Sequence, residues 1–419
     1  MQNKMTNLPQ GWEVKKLEEI ANIKGGKRLP KGKNLLDNNT KFAYIRVADF
    51  QDNGTINLQN IKFINENTYN VLKNYKIYDD NLYISIAGTI GKSGIIPKEL
   101  NGAILTENAV KLEYIQNNIS NKFMYFFTLS NIFKTQIQTS TKIVAQPKLA
   151  ITRLKQIQIP LPPLKEQERI VGILDFTFSK IDENIKKAKE NLANIDELMQ
   201  SALQKAFNPL NDNTKENYQL PQSWKWKGLG EICFITDGTH KTPNYIETGI
   251  PFLSVKNISK GFFDLSDVKY ISLEEHNKLI KRAKPEFGDI LICRIGTLGK
   301  AIKISLEFEF SIFVSLGLLK PKVKIISDYL VYFLNSYFIE GWINNNKVGG
   351  GTHTAKLNLN ILEKCPVALP PLKEQEQIAK HLDFIFEKTK ALKELYTKEL
   401  KDYEELKQSL LDKAFKGEL

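Results

Sequence analysis

Two polar loops carry side chains well suited to hydrogen bonding with a ligand. Residues 236–243 (TDGTHKTP) combine hydroxyls, an imidazole and an amine in one segment that ends at a proline. Such groups donate and accept hydrogen bonds at the edges of nucleic-acid bases. The positional counterpart, residues 24–33, is glycine-rich and strongly basic. We expect these loops to contact DNA, the alternative being ordinary solvated loops; the predicted contacts are Lys27, Arg28, Lys31 and Lys33 in the first loop, and Thr239, His240, Lys241 and Thr242 in the second.

A glycine-bounded turn occurs twice, as residues 88–92 (GTIGK) and 296–300 (GTLGK). Neither copy has the spacing of a nucleotide-binding P-loop. Each is expected to follow a strand and to offer backbone N–H groups and one lysine to a phosphate, with a plain hairpin turn as the alternative. His353 is a weaker polar candidate. Further predicted DNA contacts are Arg46, Thr89, Lys92, Lys256, Arg294, Thr297 and Lys300.

No recognisable catalytic constellation accompanies these candidates. The chain lacks the Asn/Asp-Pro-Pro-Tyr/Phe tetrapeptide of amino-methyltransferases, and residues 208–210 (NPL) do not replace it. It also lacks a His-Glu-x-x-His zinc motif and a Rossmann dinucleotide turn, and its four histidines are dispersed. The sequence therefore predicts a non-catalytic chain with no catalytic residue, no metal ligand and no bound cofactor.

The loops and turns belong to an internally duplicated chain. Residues 161–176 and 369–384 are identical at 12 of 16 positions, at an offset of 208 residues. Residues 8–12 (LPQGW) recur as residues 220–224 (LPQSW). A repeat of this length exceeds the roughly 20–50 residues of a solenoid unit, so a whole domain with its connector is duplicated. Two similar domains suit a ligand with two similar sites, and double-stranded DNA is the expected ligand.

Each half divides into a mixed globular domain and a long helix. Short β-like runs such as residues 42–47, 82–87 and 289–295 alternate with helical stretches such as 122–129 and 328–338, which indicates an α+β domain. A Pro-Pro pair then predicts entry into a helix. The expected boundaries are residues 1–160 for the first domain, 161–207 for the first long helix, 208–219 for a linker, 220–368 for the second domain and 369–419 for the second long helix.

The first long helix carries an apolar heptad stripe from Leu174 to Ala206, whereas Lys393 and Lys407 interrupt the stripe of the second. Such a stripe buries against another helix. Because the chain runs domain, helix, domain, helix, we expect the two helices to pair as an antiparallel coiled coil about a pseudo-two-fold axis. The alternative is a helix packed on its own domain. The residues expected to pair are Ile181, Ile185, Leu192 and Ile195 with Tyr396, Leu400 and Tyr403.

The composition restricts the class of partner and the cellular compartment. The 419 residues carry a formal net charge of +12, which favours a polyanionic partner. No apolar run approaches the ~18 residues of a membrane span, so no membrane partner is expected. Three cysteines without close pairing indicate a reducing, cytoplasmic compartment.

The chain resembles the specificity subunit of Type I restriction–modification enzymes. The motif Pro-Leu-Pro-Pro-Leu-Lys-Glu-Gln-Glu at residues 160–168, its second copy at 369–376, the Leu-Pro-x-x-Trp openings at Leu8 and Leu220, and the ending Lys-Ala-Phe-Lys-Gly-Glu-Leu at 413–419 carry this resemblance. It covers essentially the whole chain.

The resemblance implies that each domain is a target recognition domain for one half of a bipartite, asymmetric DNA sequence. It also implies that the helices act as a ruler and as a platform for two modification subunits, which use S-adenosylmethionine to methylate adenine. Restriction subunits would add ATP- and Mg-dependent translocation and cleavage. The repeated residues 165–168 (KEQE) are expected to form a docking surface for another protein.

Two alternatives stay open at this point. The chain could be the recognition subunit of a related Type II-like system whose partner fuses methyltransferase and nuclease, or an unrecognised DNA-modifying enzyme. If two rigidly joined domains enter the major groove on one face of DNA, the half-site centres should lie about one turn, ~10 bp, apart.

Overall fold

The computed structural model describes residues 8–140, 148–207, 221–350 and 355–419, and these form two compact units. The first unit contains the described residues up to Ala188 together with Lys398–Leu419, and the second contains Lys189–Thr397. Each unit therefore holds one globular domain and a part of both long helices. The expected linker at 208–219 and the candidate His353 lie outside the described residues.

The first unit begins with a mixed domain of short strands and helices, and the first long helix follows it. Its strands are Glu13–Lys16 (β1), Ala21–Gly25 (β2), Ala43–Ile45 (β3), Lys62–Phe63 (β4), Lys76–Ile77 (β5), Leu82–Ser85 (β6), Ser93–Ile95 (β7), Ala103–Leu105 (β8), Ala109–Tyr114 (β9) and Gln158–Leu161 (β10). The helices are Leu17–Ile20 (α1), Glu66–Val71 (α2), Asn121–Leu129 (α3), Asn131–Ser140 (α4), Ile151–Lys155 (α5) and Leu164–Phe207 (α6), the last of which continues into the second unit.

The second unit has the same element order with few exceptions. Its strands are Lys225–Gly228 (β11), Cys233–Asp237 (β12), Ile250–Leu253 (β13), Lys269–Ile271 (β14), Ile290–Cys293 (β15), Ala301–Lys303 (β16), Ser311–Ile312 (β17), Leu316–Pro321 (β18) and Pro366–Leu369 (β19). The helices are Leu229–Ile232 (α7), Leu273–Leu279 (α8), Ser327–Leu334 (α9), Tyr337–Asn346 (α10), Leu359–Leu362 (α11) and Leu372–Ala414 (α12), the last of which ends in the first unit.

The two domains share one sheet topology. An antiparallel sheet has the order β2-β9-β6-β7 in the first unit and β12-β18-β15-β16 in the second. A second sheet contains one parallel pair, β3 with β8 and β13 with β17 respectively. The internal repeat of the sequence is therefore a repeat of the fold.

The central strands are apolar on both faces because each lies between two cores. In β6, Leu82 and Ile84 enter the core that contains α3, whereas Tyr83 enters a separate core around Ile45. β15 alternates in the same way, since Ile290 and Ile292 share one core and Leu291 and Cys293 share another. Side chains of a strand alternate between faces, so a continuous apolar run indicates a sheet covered on both sides.

Each domain is closed at the start of a long helix. Antiparallel pairing of β1 with β10 places Glu13 opposite Leu161, and pairing of β11 with β19 places Lys225 opposite Leu369. The first and last strands of the domain therefore lie side by side, directly before the Pro-Pro pair. In the second unit the indole N–H of Trp224 also donates to Glu374 Oε1 at 2.9 Å, so the opening Leu-Pro-x-x-Trp motif contacts the helix-entry motif.

A buried glutamine fastens each long helix to its domain. Gln167 Oε1 accepts a hydrogen bond from the backbone N–H of Ser120 at 2.9 Å, and its amide donates to the carbonyls of Pro162 and Asn118 at 2.9 and 3.1 Å. Gln375 accepts from the Ile326 N–H at 3.0 Å and donates to the Pro370 carbonyl at 2.8 Å. Both glutamines are 1% exposed. The expectation that residues 165–168 form a docking surface is therefore wrong for Gln167, which is satisfied inside its own chain.

The long helices run antiparallel within each unit, as expected. In the first unit Asp182 pairs with Lys407, and Asn184 bonds to Tyr403. In the second unit Asp196 pairs with Lys393, and Ala202 and Ala206 of α6 pack in one core with Ala379 and Leu382 of α12. The two lysines that interrupt the stripe thus reach aspartates on the facing helix. Exposed ion pairs add only about 0–1 kcal/mol each to the free energy of unfolding. These pairs therefore contribute more to the alignment of the two helices than to stability.

The residues expected in the helix seam differ in burial. Ile181 and Ile195 are 4% and 6% exposed. Ile185, Leu192, Tyr396, Leu400 and Tyr403 are half-buried.

The expected bounds of three helical segments require correction. The first long helix begins at Leu164 rather than at residue 161, because Leu161 ends β10. The second spans Leu372–Ala414 rather than 369–419, and Leu369 ends β19. The stretch 328–338 is two helices, because Asn335 turns its side chain onto Ala301, where it accepts from the N–H at 3.1 Å and donates to the carbonyl at 2.8 Å. None of the helices within the described parts of the chain is long and apolar enough to cross a membrane.

Replacing Gln375 by alanine is expected to lower the free energy of unfolding by about 1–3 kcal/mol, since the Ile326 N–H and the Pro370 carbonyl lose a buried partner. Gln377, which is exposed on the same helix, provides the control, and Gln377→Ala should change stability by no more than about 0.5 kcal/mol. Chemical denaturation of both variants measures the difference. Equal losses would show that the buried amide does not fasten the helix.

Candidate nucleic-acid interface

Both candidate loops leave the frame at an equivalent glycine. Gly26 follows β2 and Gly238 follows β12. A Cβ at Gly26 would lie 2.1 Å from the Thr106 carbonyl oxygen, and one at Gly238 would lie 2.0 Å from that of Ile312. No side chain fits at such distances, so only glycine allows this close approach of two backbones. The loops differ in sequence, yet they begin at one place in the fold.

The first loop presents a basic surface. Arg28 Nε donates to Glu107 Oε1 at 2.6 Å, and the Arg28 side chain stays 79% exposed. Lys27 lies 5.7 Å from the centre of the Tyr75 ring. Lys31 and Lys33 are exposed, and neither has an ion pair with any described residue. The loop therefore offers four cations, two of which are oriented by the domain.

A buried aspartate organises the second loop. Asp237 is 1% exposed, and its carboxylate accepts hydrogen bonds from Arg282 and Arg294. His240 Nε2 lies 3.1 Å from Asp237 Oδ2, and its side chain is 63% exposed. Thr239 continues the anchoring through its backbone, which accepts from the Val314 N–H at 3.0 Å. The exposed Lys241 and Thr242 follow, so the tip of the loop stands on a fixed base.

The charges around Asp237 keep it ionised. Burial alone raises the pKa of this carboxyl, but the hydrogen bonds and charges of Arg282 and Arg294 outweigh burial and hold the pKa below its usual range. Two guanidinium groups and one carboxylate leave a net positive charge beneath the loop. This arrangement favours an anionic ligand at the surface.

Two predicted DNA contacts instead hold the protein's own backbone. Arg294 is 8% exposed, and its Nε donates to the Leu357 carbonyl at 2.9 Å. Arg46 makes a two-point bond to Asp49, with Nε–Oδ2 and Nη2–Oδ1 distances of 3.1 and 2.6 Å. Both guanidinium groups are thus bonded within their own domains, where they position loops, and contact of either residue with DNA stays a prediction.

The repeated turns are hairpin turns, between β6 and β7 and between β15 and β16. Gly88 and Gly91 have φ values of +76° and +88°, and Gly296 and Gly299 have +83° and +80°, a region that favours glycine. Thr89 and Thr297 are exposed at their tips.

The lysines of the two turns are not equivalent. Lys92 Nζ lies 2.7 Å from an Asp52 carboxylate oxygen. Lys300 has no carboxylate partner among the described residues. The turn of the second unit therefore offers a free cation, and that of the first offers a neutralised one.

The second unit joins its loop and turn into one assembly. Arg294 contacts Asp237 and lies two residues before the start of the turn, and its carbonyl accepts from the Leu357 N–H at 2.9 Å. Lys256 is exposed in the 3-10 turn Val255–Asn257. In the first unit, no hydrogen bond or ion pair between described residues joins the basic loop to the turn.

Sequence reasoning missed Asp237 and Arg282. The aspartate could have been noticed because it immediately precedes the loop glycine, but Arg282 lies 45 residues away from it. Within the described residues, no cluster of three or more His, Cys, Asp and Glu is placed to hold a metal ion.

A model of a known protein family matches both halves of the chain. A family model described as "Type I restriction modification DNA specificity domain" matches residues 9–194 and again residues 221–402. The two matches cover most of the chain, one in each half. The chain belongs to the Type I restriction modification DNA specificity family. The family suggested by the repeated motifs is thereby confirmed.

Relatives in the specificity family span nearly the same length. The chain is 24% identical to the Type I restriction enzyme EcoBI specificity subunit of Escherichia coli, over 100% of this chain and 88% of that protein. It is 25% identical to the putative Type I restriction enzyme MjaX specificity subunit of Methanocaldococcus jannaschii, over 98% of this chain and 94% of that protein.

Solved structures confirm the fold. A chain from a study of assembly and conformational transition of the type I R-M system matches with a TM-score of 0.79 at 22% identity, over 99% of this chain and 100% of that chain. The HsdS subunit of Thermoanaerobacter tengcongensis matches with a TM-score of 0.60 at 22% identity, over 100% of both chains.

Replacing Asp237 by asparagine is expected to destabilise the second unit by about 3 kcal/mol or more, because the variant leaves the buried Arg294 without its counter-ion. Because the folded pKa of Asp237 is lowered, its contribution is present above the ordinary aspartate pKa and is lost as pH falls through the lowered folded value. The difference between the parent protein and the variant should therefore shrink in acid.

Denaturation at neutral and acid pH measures this difference. Asp267→Asn is the control, since the Asp267 side chain is 78% exposed and 3.9 Å from Lys269. A pH-independent difference would contradict the ionised role of Asp237.

Proposed function

We propose that this chain is the sequence-specific DNA-recognition subunit of a Type I restriction–modification complex, in which each domain contacts one half of a bipartite, asymmetric target. The observation that carries the proposal is the double family match on a duplicated frame whose exposed loops differ. Two domains with one frame dock alike, whereas different loop side chains meet different bases.

The loops supply the chemistry for this role. Arg28, oriented by Glu107, has the donor fork that pairs with guanine in the major groove. Lys31 and Lys33 suit phosphates. In the second domain, His240 and Thr242 can donate and accept at base edges, and Asp237 fixes the base of their loop. The two half-sites should therefore differ in sequence.

The long helices supply the platform. α6 and α12 each carry an exposed phenylalanine at equivalent repeat positions, Phe176 at 69% exposure and Phe384 at 60%. A large exposed aromatic side chain is typical of a protein-binding hot spot. Duplication of that position supports the binding of two copies of one partner, and we assign it to two modification subunits.

The chemistry of the complex resides in those partners. Modification subunits would bind S-adenosylmethionine and methylate adenine, and restriction subunits would use ATP and Mg for translocation and cleavage, while this chain remains non-catalytic. The continuous helices α6 and α12 would set the separation of the half-sites.

Single-loop variants should alter one half of the methylated sequence at a time. Arg28→Ala is expected to relax the first half-site, and His240→Ala the second, since each bidentate or base-edge contact discriminates by about 1–3 kcal/mol. Methylome sequencing of a host that expresses each variant with its modification subunit measures the change. Omission of the modification subunit should abolish methylation.

The control is Lys398→Ala, which removes one charge from an exposed position of α12 and should leave the target unchanged. If either loop variant changed both half-sites together, independent recognition by the two domains would be wrong.

Replacing either exposed phenylalanine should remove one partner. Phe176→Ser and Phe384→Ser are each expected to reduce the bound modification subunits from two to one, at a cost of about 2 kcal/mol or more in affinity. Native mass spectrometry of the assembled complex counts the subunits. Val71→Ser is the control, because Val71 is also 69% exposed but lies in the first domain rather than on a long helix. Unchanged stoichiometry in both phenylalanine variants would move the docking surface elsewhere.

A further inference from the structure

A cavity of about 480 Å³ lies in the second unit beside the turn 296–300 and the start of α10. Its wall combines apolar side chains with polar ones, among them Thr297, Lys300, Ser336, Glu340, Asn344 and Lys347. Thr297, Glu340 and Asn344 of its wall are exposed to solvent. Its position next to the turn makes it a candidate for a small, charged group.

Ser336 provides an unusual donor in this wall. The residue is the N-cap of α10 and is 2% exposed, yet its hydroxyl forms no hydrogen bond with any residue that the structure describes. Buried hydroxyls normally have a partner, and an N-cap serine normally accepts from the first helical turn. Its counterpart Ser130 does so, since it accepts from the Phe133 N–H at 3.3 Å and donates to the Phe127 carbonyl at 2.7 Å. The Ser336 hydroxyl therefore has an unused hydrogen-bonding capacity in the wall of the cavity.

The surrounding charges favour an anion. The ten-residue helix α10 presents its positive end and free N–H groups at Ser336. Lys300 has no carboxylate partner among the described residues, and Lys347 Nζ is bonded only to the neutral Asn344 Oδ1, at 3.0 Å. Glu340 opposes an anion in the same wall. Lys300 and Lys347 together outnumber this single carboxylate in the wall.

We propose that this cavity binds one backbone phosphate of DNA in the second half-site, an inference that rests on the proposed function. The phosphate would accept from the Ser336 hydroxyl and pair with Lys300. Arg294 ties this turn to the recognition loop through Asp237, so a phosphate in the cavity would set the register of the loop on the bases.

The first unit lacks these features at the equivalent place. Lys92 is neutralised by Asp52 at 2.7 Å, and the Ser130 hydroxyl is satisfied within the chain. The two turns are alike in sequence, but the inference assigns this phosphate contact to the second alone.

Phosphate neutralisation tests this contact. The complex of the full chain with its modification subunit is titrated with a series of duplexes that contain its recognition sequence. Each duplex carries one neutral methylphosphonate, placed at a different linkage of the second half-site. We expect one linkage to lower affinity by about tenfold or more, as for loss of a hydrogen bond to a charged group. In Ser336→Ala and Lys300→Ala, affinity for the duplex without a methylphosphonate should already be reduced. That linkage should then cause a smaller further loss than in the parent, because one of the two contacts to the phosphate remains.

Salt dependence gives a second measurement. Lys300→Ala should reduce the slope of log affinity against log salt by about one unit, as for one lost phosphate contact. Lys92→Ala should change it much less, because Asp52 already neutralises Lys92. Equal slopes for the two variants would contradict the asymmetry.

Matched serine variants separate binding from stability. Ser336→Ala removes no hydrogen bond and should leave the melting temperature unchanged or higher. Ser130→Ala removes two hydrogen bonds and should lower the melting temperature. It should not change the affinity loss that a methylphosphonate causes at any linkage. One outcome contradicts the inference: the methylphosphonate reduces the affinity of Ser336→Ala and Lys300→Ala as much as that of the parent at every linkage, while the complex still binds and methylates its site. In that case the inference is wrong and the proposed function stands.

Two further outcomes are decisive. If inorganic phosphate alone raises the melting temperature of the parent chain but not of Ser336→Ala, and no methylphosphonate couples to these residues, the cavity serves a free anion and not DNA. If the assembled complex shows no sequence-specific DNA binding at all, the proposed function itself fails.

Discussion

The structure depends on the closure of each domain at the first turn of a long helix. Pairing of β1 with β10, and of β11 with β19, brings the start of each domain beside its end. The buried amides of Gln167 and Gln375 then bond each long helix to the backbone directly before α3 and α9, respectively. A domain held at both ends by one helix cannot rotate freely upon it. The repeated motif is thus explained by a fastening that each domain requires.

The recognition loops leave the two domain frames at equivalent positions. Gly26 and Gly238 mark a common exit, where two backbones approach too closely for a side chain. Beyond it, the first domain exposes lysines and arginine, and the second builds its loop on Asp237. A shared frame with different loops is the physical basis for two domains that recognise different sequences.

The two halves share one backbone frame but differ in which charged side chains are paired. The turns 88–92 and 296–300 have the same backbone, yet an aspartate from a distant segment neutralises Lys92 and none does so for Lys300. The helices behave alike: Lys393 and Lys407, which spoil the apolar stripe, find aspartates on the facing helix. Equivalent positions in a repeat therefore keep their geometry while their electrostatic roles diverge.

The sequence by itself determined the repeat, the α+β domains, the two long helices and the family, because periodicity, Pro-Pro helix entry and recurring motifs are local signals. Only the tertiary structure decided which polar residues are available. Gln167, Arg46 and Arg294 were expected at the surface and are bonded within the chain, whereas Asp237 and Arg282 were missed and organise the second loop. The reason is physical: Gln167, Asp237 and Arg294 bond to partners 45 to 63 residues away, which no local pattern records, whereas Arg46 bonds to Asp49 three residues along the chain.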